Sequence, residues 1–364
     1  MQKPDTQRHG ALPPELGTSF SVADARKAGI KSGRLRGADL SRPFHGVRAI
    51  TPTPGQNTRT AESRGAGLRT SGDVEGGSGI GSSIGSAIFT AAGASTAAKR
   101  EEKRKLNALH LAKMYALRMR ESEFFSHETA ALIWGAPMPT LVDEQPHVSV
   151  FRSDSAPRSR NIHGHRVSPG LATAVTHDDL QVASAATTWA MLGHLQLFDL
   201  VAIGDFFVRV WREDGYFRPN AGTAPLATLE QLATATLTGK RSGIRNLRLA
   251  LPLIRTDAWS RTETWTRLTL TAAGLPEPVL NQDQYDGWGT HLGCIDLAYP
   301  QFKIAIEYQG MHHAGRYAQD IDRVEALRSA GWIVIQVAAP LLFTRSAELV
   351  RRVRGALVKR GWRD

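Results

Sequence analysis

The sequence predicts a multidomain protein of mixed α/β class, and three observations lead there. Its 364 residues are enough for two or three domains, each able to bury a core. Beyond residue 104, segments with helical periodicity alternate with short runs of strand-like alternation. In the last hundred residues two apolar strand-like runs are followed by a helical segment and another strand-like run, the pattern of a sheet with a crossover helix. A hydrophobic content of 41% with 22% charged residues suits a folded soluble chain.

The first fifty residues read as a small winged helix-turn-helix unit (1–50). Ser21 is placed to cap a helix through Val22, Ala23, Ala25 and Ala28, and Gly29 to end it. Ser32 is placed to cap a second helix that carries Arg34 and Arg36 as far as Leu40. The run Pro43–Ile50 reads as a turn and a strand, in the position of a wing. Arg26, Lys27, Lys31, Arg34, Arg36, Arg42 and Arg48 concentrate positive charge here. With a net charge of +11 and a pI near 10.1, a polyanionic partner is expected, and DNA is the first candidate. In that reading the second helix approaches the major groove and the other cations touch phosphates. A protein-binding winged helix with a solvated basic face is the rival reading.

Residues 51–103 are rich in Gly, Ser, Thr and Ala and are expected to be a flexible low-complexity linker or insertion. The run GGSGIGSSIGS lacks the GxGxxG spacing and a preceding strand, so no phosphate cradle is assigned. A helix resumes at Arg104, with Leu106, Leu109, Leu111, Met114 and Leu117 as its apolar stripe. It opens a mixed α/β middle domain (104–250). There Ser126 is placed to cap a helix ending before Gly135. Strand-like runs follow at His147–Phe151 and Ile162–Val167, then two packed helices from Val182 onward. His127 with Glu128, and His163-Gly-His165, have no third ligand at a diagnostic spacing and read as surface or core histidines.

A single cysteine, Cys294, excludes an intramolecular disulfide and a cysteine-rich zinc site, and reads as a small buried thiol. The N-terminus lacks a signal-peptide pattern and no run of 18 apolar residues occurs, so the cytoplasm is the expected location.

The chemistry is concentrated in the last domain (251–364). Asp257 or Ser260 is placed to cap a helix with Glu263 and Arg267. The runs Ile295–Tyr299 and Lys303–Gln309 read as an antiparallel hairpin that sets Asp296 beside Glu307, with Gln309 on the same face as Glu307. His312 and His313 follow, then a helix over Tyr317–Ala330 bearing Asp320 and Arg323 one turn apart. Gly331 ends it, and a strand returns through Trp332–Val337. Paired carboxylates on adjacent strands make an all-oxygen site for a hard cation such as Mg²⁺ or Mn²⁺, and such a cation assists phosphodiester hydrolysis. Arg345, Arg351, Arg352 and Arg354 near the C-terminus either track a nucleic-acid backbone or form a solvated helix face.

This last domain resembles the PD-(D/E)XK nuclease superfamily and, more narrowly, its Vsr-like endonuclease domains. An S-x-x-E-[ST]-x-x-R helix is matched by Ser260, Glu263, Thr264 and Arg267, and a GLP-x-P segment by Gly274–Pro278. The core pattern is matched by Asp296, Glu307, Tyr308, Gly310 and His313, and the following D-x-x-R…L…GW by Asp320, Arg323, Leu327, Gly331 and Trp332. The resemblance covers about residues 257–355. It implies a restriction-endonuclease-like three-layer α/β/α domain with a mixed central sheet, in which Asp296, Glu307 and Glu263 hold the metal. By the same resemblance His313 acts on a proton or a phosphate oxygen, and Asp320 and Arg323 orient the site or contact the scissile phosphate. The superfamily's lysine, two residues after the second acid, is Gln309 here, and an amide cannot act as a base or supply charge.

Through the N-terminal unit ending in GVRAI and the SHETAALIWGAPMP, AATTWAML and LVAIGDFFVR segments, residues 1–250 resemble, more weakly, AbiEi-type antitoxin proteins, which are winged-helix regulators; the insertion at 51–103 departs from that pattern. The expected function is therefore a metal-dependent DNA endonuclease positioned by an N-terminal DNA-binding region, in phage defence or DNA repair. The alternative is a DNA-binding regulator or antitoxin with an inactive nuclease fold. A toxin or a second copy of the chain is a further candidate partner, and a toxin would favour the second reading. RNA stays beside DNA as a substrate, since metal-assisted phosphodiester chemistry does not itself choose the sugar.

Overall fold

The computed structural model describes residues 11–51, 83–213, 220–309 and 317–363, with side chains described outside 83–96 and 317–320. The chain divides into two compact units. The first comprises Met1–Glu121, Thr140–Pro146 and Pro157–Gly164; the second comprises Ser122–Pro139, His147–Ala156 and His165–Asp364. Among the described residues no helix is long and apolar enough to cross a membrane.

In the first unit, β1 (Ser19–Ser21), α1 (Val22–Lys27), β2 (Leu40–Ser41) and β3 (Val47–Ile50) form a small antiparallel sheet, ordered β1-β3-β2, with a helix packed on it. Ser21 caps α1 by accepting the Asp24 N–H at 3.0 Å, as its position predicts. Phe20, Ala25, Leu35 and Leu40 form the core of this unit. The expected second helix is absent. A single 3₁₀ turn, Arg34–Arg36, stands in its place. Glycines on both sides, Gly33 and Gly37, weaken helix propagation there. The turn is closed instead by Gly37 N–H donating to Arg34 O at 3.1 Å.

Another expectation needs correction. Helix α2 spans Ser83–Ala116, so the helix begins well before Arg104, inside the segment read as a linker. Its alanine-rich middle favours helix. Residues 52–82 of that segment lie outside the described residues. The buried face of α2 runs through Ala108, Ala112, Met114 and Tyr115, while Leu106 and Leu117 are exposed.

The second unit carries two sheets, except that His163 and Gly164, at the start of one strand, belong to the first unit. The first is ordered β6-β5-β4-β8-β7, from β4 (Phe124–Phe125), β5 (His147–Phe151), β6 (His163–Val167), β7 (Ala174–His177) and β8 (Leu180–Ala183). Helices α3 (His127–Ile133), α4 (Ala185–Met191), α5 (Leu197–Val208), α6 (Leu229–Leu237) and α7 (Ile244–Ala250) accompany it. Ser126 precedes α3 without capping it through its side chain. Its hydroxyl accepts from Ser149 Oγ at 2.7 Å instead.

The other sheet is introduced by α8 (Arg261–Ala272), which Ser260 caps by accepting the Glu263 N–H at 3.1 Å. Strands β9 (Val279–Tyr285), β10 (His291–Tyr299) and β11 (Ile304–Tyr308) form an antiparallel meander. After α9 (Tyr317–Ser329), β12 (Ile333–Val337) pairs in parallel with β11, giving the order β12-β11-β10-β9. Helices α10 (Ala339–Phe343) and α11 (Ser346–Lys359) close the chain. One core joins Leu297, Tyr299, Ile304 and Ile306 to Leu270 of α8, Leu341 of α10 and Leu349, Val353 and Leu357 of α11. Another joins Ala298, Ala305 and Trp332 to Leu327 of α9. The mixed sheet therefore has helices on both faces.

Candidate metal centre

The β10–β11 hairpin is the base of the site. Its register pairs Leu297 with Ile306 and Ala298 with Ala305. Continued by one residue, that register sets Asp296 opposite Glu307. Opposed residues of an antiparallel pair share a face. Glu307 follows Ala305 by two, so both face the α9 side of the sheet. Asp296 Oδ2 accepts the Tyr308 N–H at 2.9 Å, which ties the carboxylate to the neighbouring strand.

Glu307 is 2% exposed and carries its charge against Arg323. Arg323 Nη1 and Nη2 donate to its two oxygens at 2.8 Å each, a two-pronged ion pair, and Nη1 also donates to Cys294 O at 3.1 Å. Gly293 makes room for this side chain. It has a φ of 121°, and a Cβ there would lie 2.7 Å from Arg323 Cδ.

Glu263, on the first turn of α8, is 6% exposed. Its Oε2 accepts from Trp259 N–H at 2.9 Å and from Asn281 Nδ2 at 2.5 Å. Asn281 holds a left-handed backbone (φ 48°), and its amide also donates to Asp257 O at 2.8 Å. Burial, and after it the negative charge of Asp296, push the Glu263 carboxyl up to about 7.

The rest of the S-x-x-E-T-x-x-R helix faces elsewhere. Thr264 Oγ1 donates to Asp205 Oδ2 at 2.7 Å, and Arg267 Nη2 donates to the same oxygen at 3.2 Å. Arg267 also donates to Glu277 Oε1 at 3.0 Å and Leu253 O at 2.8 Å. Asp199, earlier on α5, accepts from Arg261 and from Trp265 Nε1. Helix α8 is thus clamped to α5 by two buried acids, neither of which the sequence motifs single out.

Other expected site residues fall as follows. Gln309 is exposed just beyond β11, its N–H donating to Val337 O at 2.7 Å. His313 lies outside the described residues, and Asp320 lies on α9 with its side chain outside them. In the first unit Arg26, Lys27, Lys31, Arg36 and Arg42 are exposed. Arg34 is engaged by Asp39 through hydrogen bonds of 2.9 and 2.6 Å. Arg48 donates to Leu35 O at 2.7 Å and Val47 O at 2.8 Å, so it holds the turn and strand together. Near the C-terminus, Arg345 and Arg352 pair with Glu348, and Arg354 donates to Ala273 O at 2.9 Å.

The donor set Glu263, Asp296 and Glu307 is all oxygen, which suits Mg²⁺ or Mn²⁺. The charge of Asp296, which adds to burial in raising Glu263, is of the kind a cation relieves. Glu307 joins such a set only when Arg323 yields its two hydrogen bonds. Among the described residues, the group of His, Cys, Asp or Glu whose ligand atoms all lie within 4.8 Å of one another is a different one: His127, His147 and His165. No protein-family model, curated protein or solved structure matches this chain.

Proposed function

We propose that the C-terminal domain is a divalent-metal-dependent endonuclease acting on DNA. The observation that carries this reading is that burial, and after it the charge of Asp296 on a strand, raise the Glu263 carboxyl on a helix to about 7, with Glu307 on the strand that pairs with that of Asp296. A stability-optimised core would not retain such a group, and functional sites commonly do. The order α8, three antiparallel strands, α9 and a parallel fourth strand supports the same reading.

Asp296 and Glu263 would hold Mg²⁺ or Mn²⁺, joined by Glu307. The cation supplies Lewis-acid polarisation of a phosphodiester and a more acidic water. Arg323 has a second role in this scheme. Its planar fork fits a phosphate as well as it fits Glu307, so an arriving phosphodiester draws it away and releases Glu307. Gln309 offers an amide to phosphate or water, without charge. The exposed cations of the first unit supply salt-dependent attraction for DNA.

A second reading, a DNA-binding regulator or antitoxin with an inactive nuclease fold, is favoured by the two-pronged Arg323–Glu307 pair and by Gln309. Incubating supercoiled plasmid and single-stranded DNA and RNA with the full chain in Mg²⁺, Mn²⁺ or EDTA separates the two. The nuclease reading expects metal-dependent cutting that Glu307→Ala abolishes. DNA binding with no cutting under any metal would favour the regulator.

A further inference from the structure

We propose that His127, His147 and His165 form a second metal site, which takes one divalent transition-metal ion of the zinc class. The three come from the start of α3 and from the adjacent strands β5 and β6, and each is half-buried. One ring nitrogen from each lies within 4.8 Å of the others. His147 Nδ1 and His165 Nε2 are 3.1 Å apart. Two nitrogens bound at about 2.1 Å to a tetrahedral ion stand roughly 3.4 Å apart, so the spacing is close to what zinc needs.

The surroundings are those of a ligand set. A metal-bound histidine usually directs its second nitrogen to an oxygen that fixes the ring. His127 Nδ1 lies 3.0 Å from Ser126 Oγ, which leaves Nε2 for the ion. His147 Nε2 lies 3.3 Å from Glu128 Oε2, a contact short of hydrogen-bond alignment, and Glu128 Oε1 meets His194 Nε2 at 3.0 Å. His127 also takes a left-handed backbone, φ 50°, at the first residue of its helix. That conformation is sparsely populated outside glycine and tends to persist where function requires it. The rings of His147 and His165 are within 11° of parallel and share a polar contact. Loading the ion therefore turns them about χ2, a soft torsion. Imidazole nitrogens favour Zn²⁺, Ni²⁺ or Cu²⁺ over Mg²⁺, so this site and the carboxylate site select different ions. Three protein ligands leave a fourth position for water or an external ligand.

The test is a titration of Zn²⁺ into untagged full-length protein, stripped with EDTA and dialysed, followed by calorimetry and by the visible spectrum of the Co²⁺ form. One Zn²⁺ per chain is expected in wild type and in Glu307→Ala, with a tetrahedral Co²⁺ spectrum. His165→Asn and His127→Gln, each checked for wild-type circular dichroism, should lose that binding. Glu128→Gln should weaken it by about 10- to 100-fold. Absence of stoichiometric binding to wild type would overturn the proposal. So would binding that survives both histidine substitutions or disappears in Glu307→Ala.

Discussion

Replacing Glu263 by glutamine should make the apo protein more stable, because that carboxylate is held where burial and Asp296 oppose its charge. Its folded-state value is raised from 4.5 to about 7. Between those values the folded chain keeps a proton that the unfolded chain has lost, so stability falls as pH rises through that window. Each tenfold change in proton affinity is worth about 1.4 kcal/mol, so the full effect above the window is about 3 kcal/mol. Solvent screening takes little from it, since Glu263 is only 6% exposed. Glutamine keeps an oxygen to accept from Trp259 N–H and Asn281 Nδ2, and turns an amide toward Asp296 in place of a second negative charge. In EDTA near pH 8, urea unfolding should therefore show Glu263→Gln more stable than wild type by about 2–3 kcal/mol. Near pH 4 the difference should vanish. Excess Mg²⁺ near pH 8 should stabilise the wild type and leave the variant unchanged. A variant no more stable than wild type near pH 8, or one offset equally at both pH values, would refute the reasoning.

Other substitutions probe the same framework. Arg323→Ala leaves Glu307 buried without its partner and should lower stability in EDTA by about 2–3 kcal/mol, with part of the loss restored by Mn²⁺ in thermal melts. Arg267→Met leaves Asp205 without its buried counter-charge and should cost about 3–5 kcal/mol in urea unfolding. The Asp205 carboxyl is already raised to about 6, by burial first, despite Arg267. Joint replacement of Lys31, Arg36 and Arg42 by alanine should reduce the salt dependence of DNA binding by about 0.9 in log–log slope for each phosphate no longer neutralised, with unchanged circular dichroism.

Much of the C-terminal domain was legible in the sequence because its signals are local. Alternation in the Ile295–Tyr299 and Lys303–Gln309 runs sets the hairpin and puts Asp296 and Glu307 on one face. Ser260 and Gly274 mark the ends of α8, and Gly331 ends α9. The partners of those residues were less legible. That Arg323 closes on Glu307, and that Arg267 turns to Asp205 some sixty residues away, depends on how helices pack. Asn281, which holds Glu263, reads as an ordinary strand residue until its left-handed backbone is seen. In the N-terminal region Ser32 is placed to cap a second helix, but the flanking glycines favour a 3₁₀ turn. The three histidines are scattered along the chain and share no ligand spacing, so His127 and His165 read as ordinary surface or core residues and His147 as the start of a strand. Only the pairing of β5 and β6 beside the start of α3 brings them together.

The central claim is that the carboxylates around Asp296 bind a cation in order to cut DNA. Its most direct test is plasmid nicking in Mn²⁺ by wild type and by Asp296→Asn, with DNA affinity measured on the same preparations. The account predicts cutting by the wild type alone, with both proteins binding DNA equally. Equal cutting by the two, or DNA binding without cutting by the wild type, would contradict it.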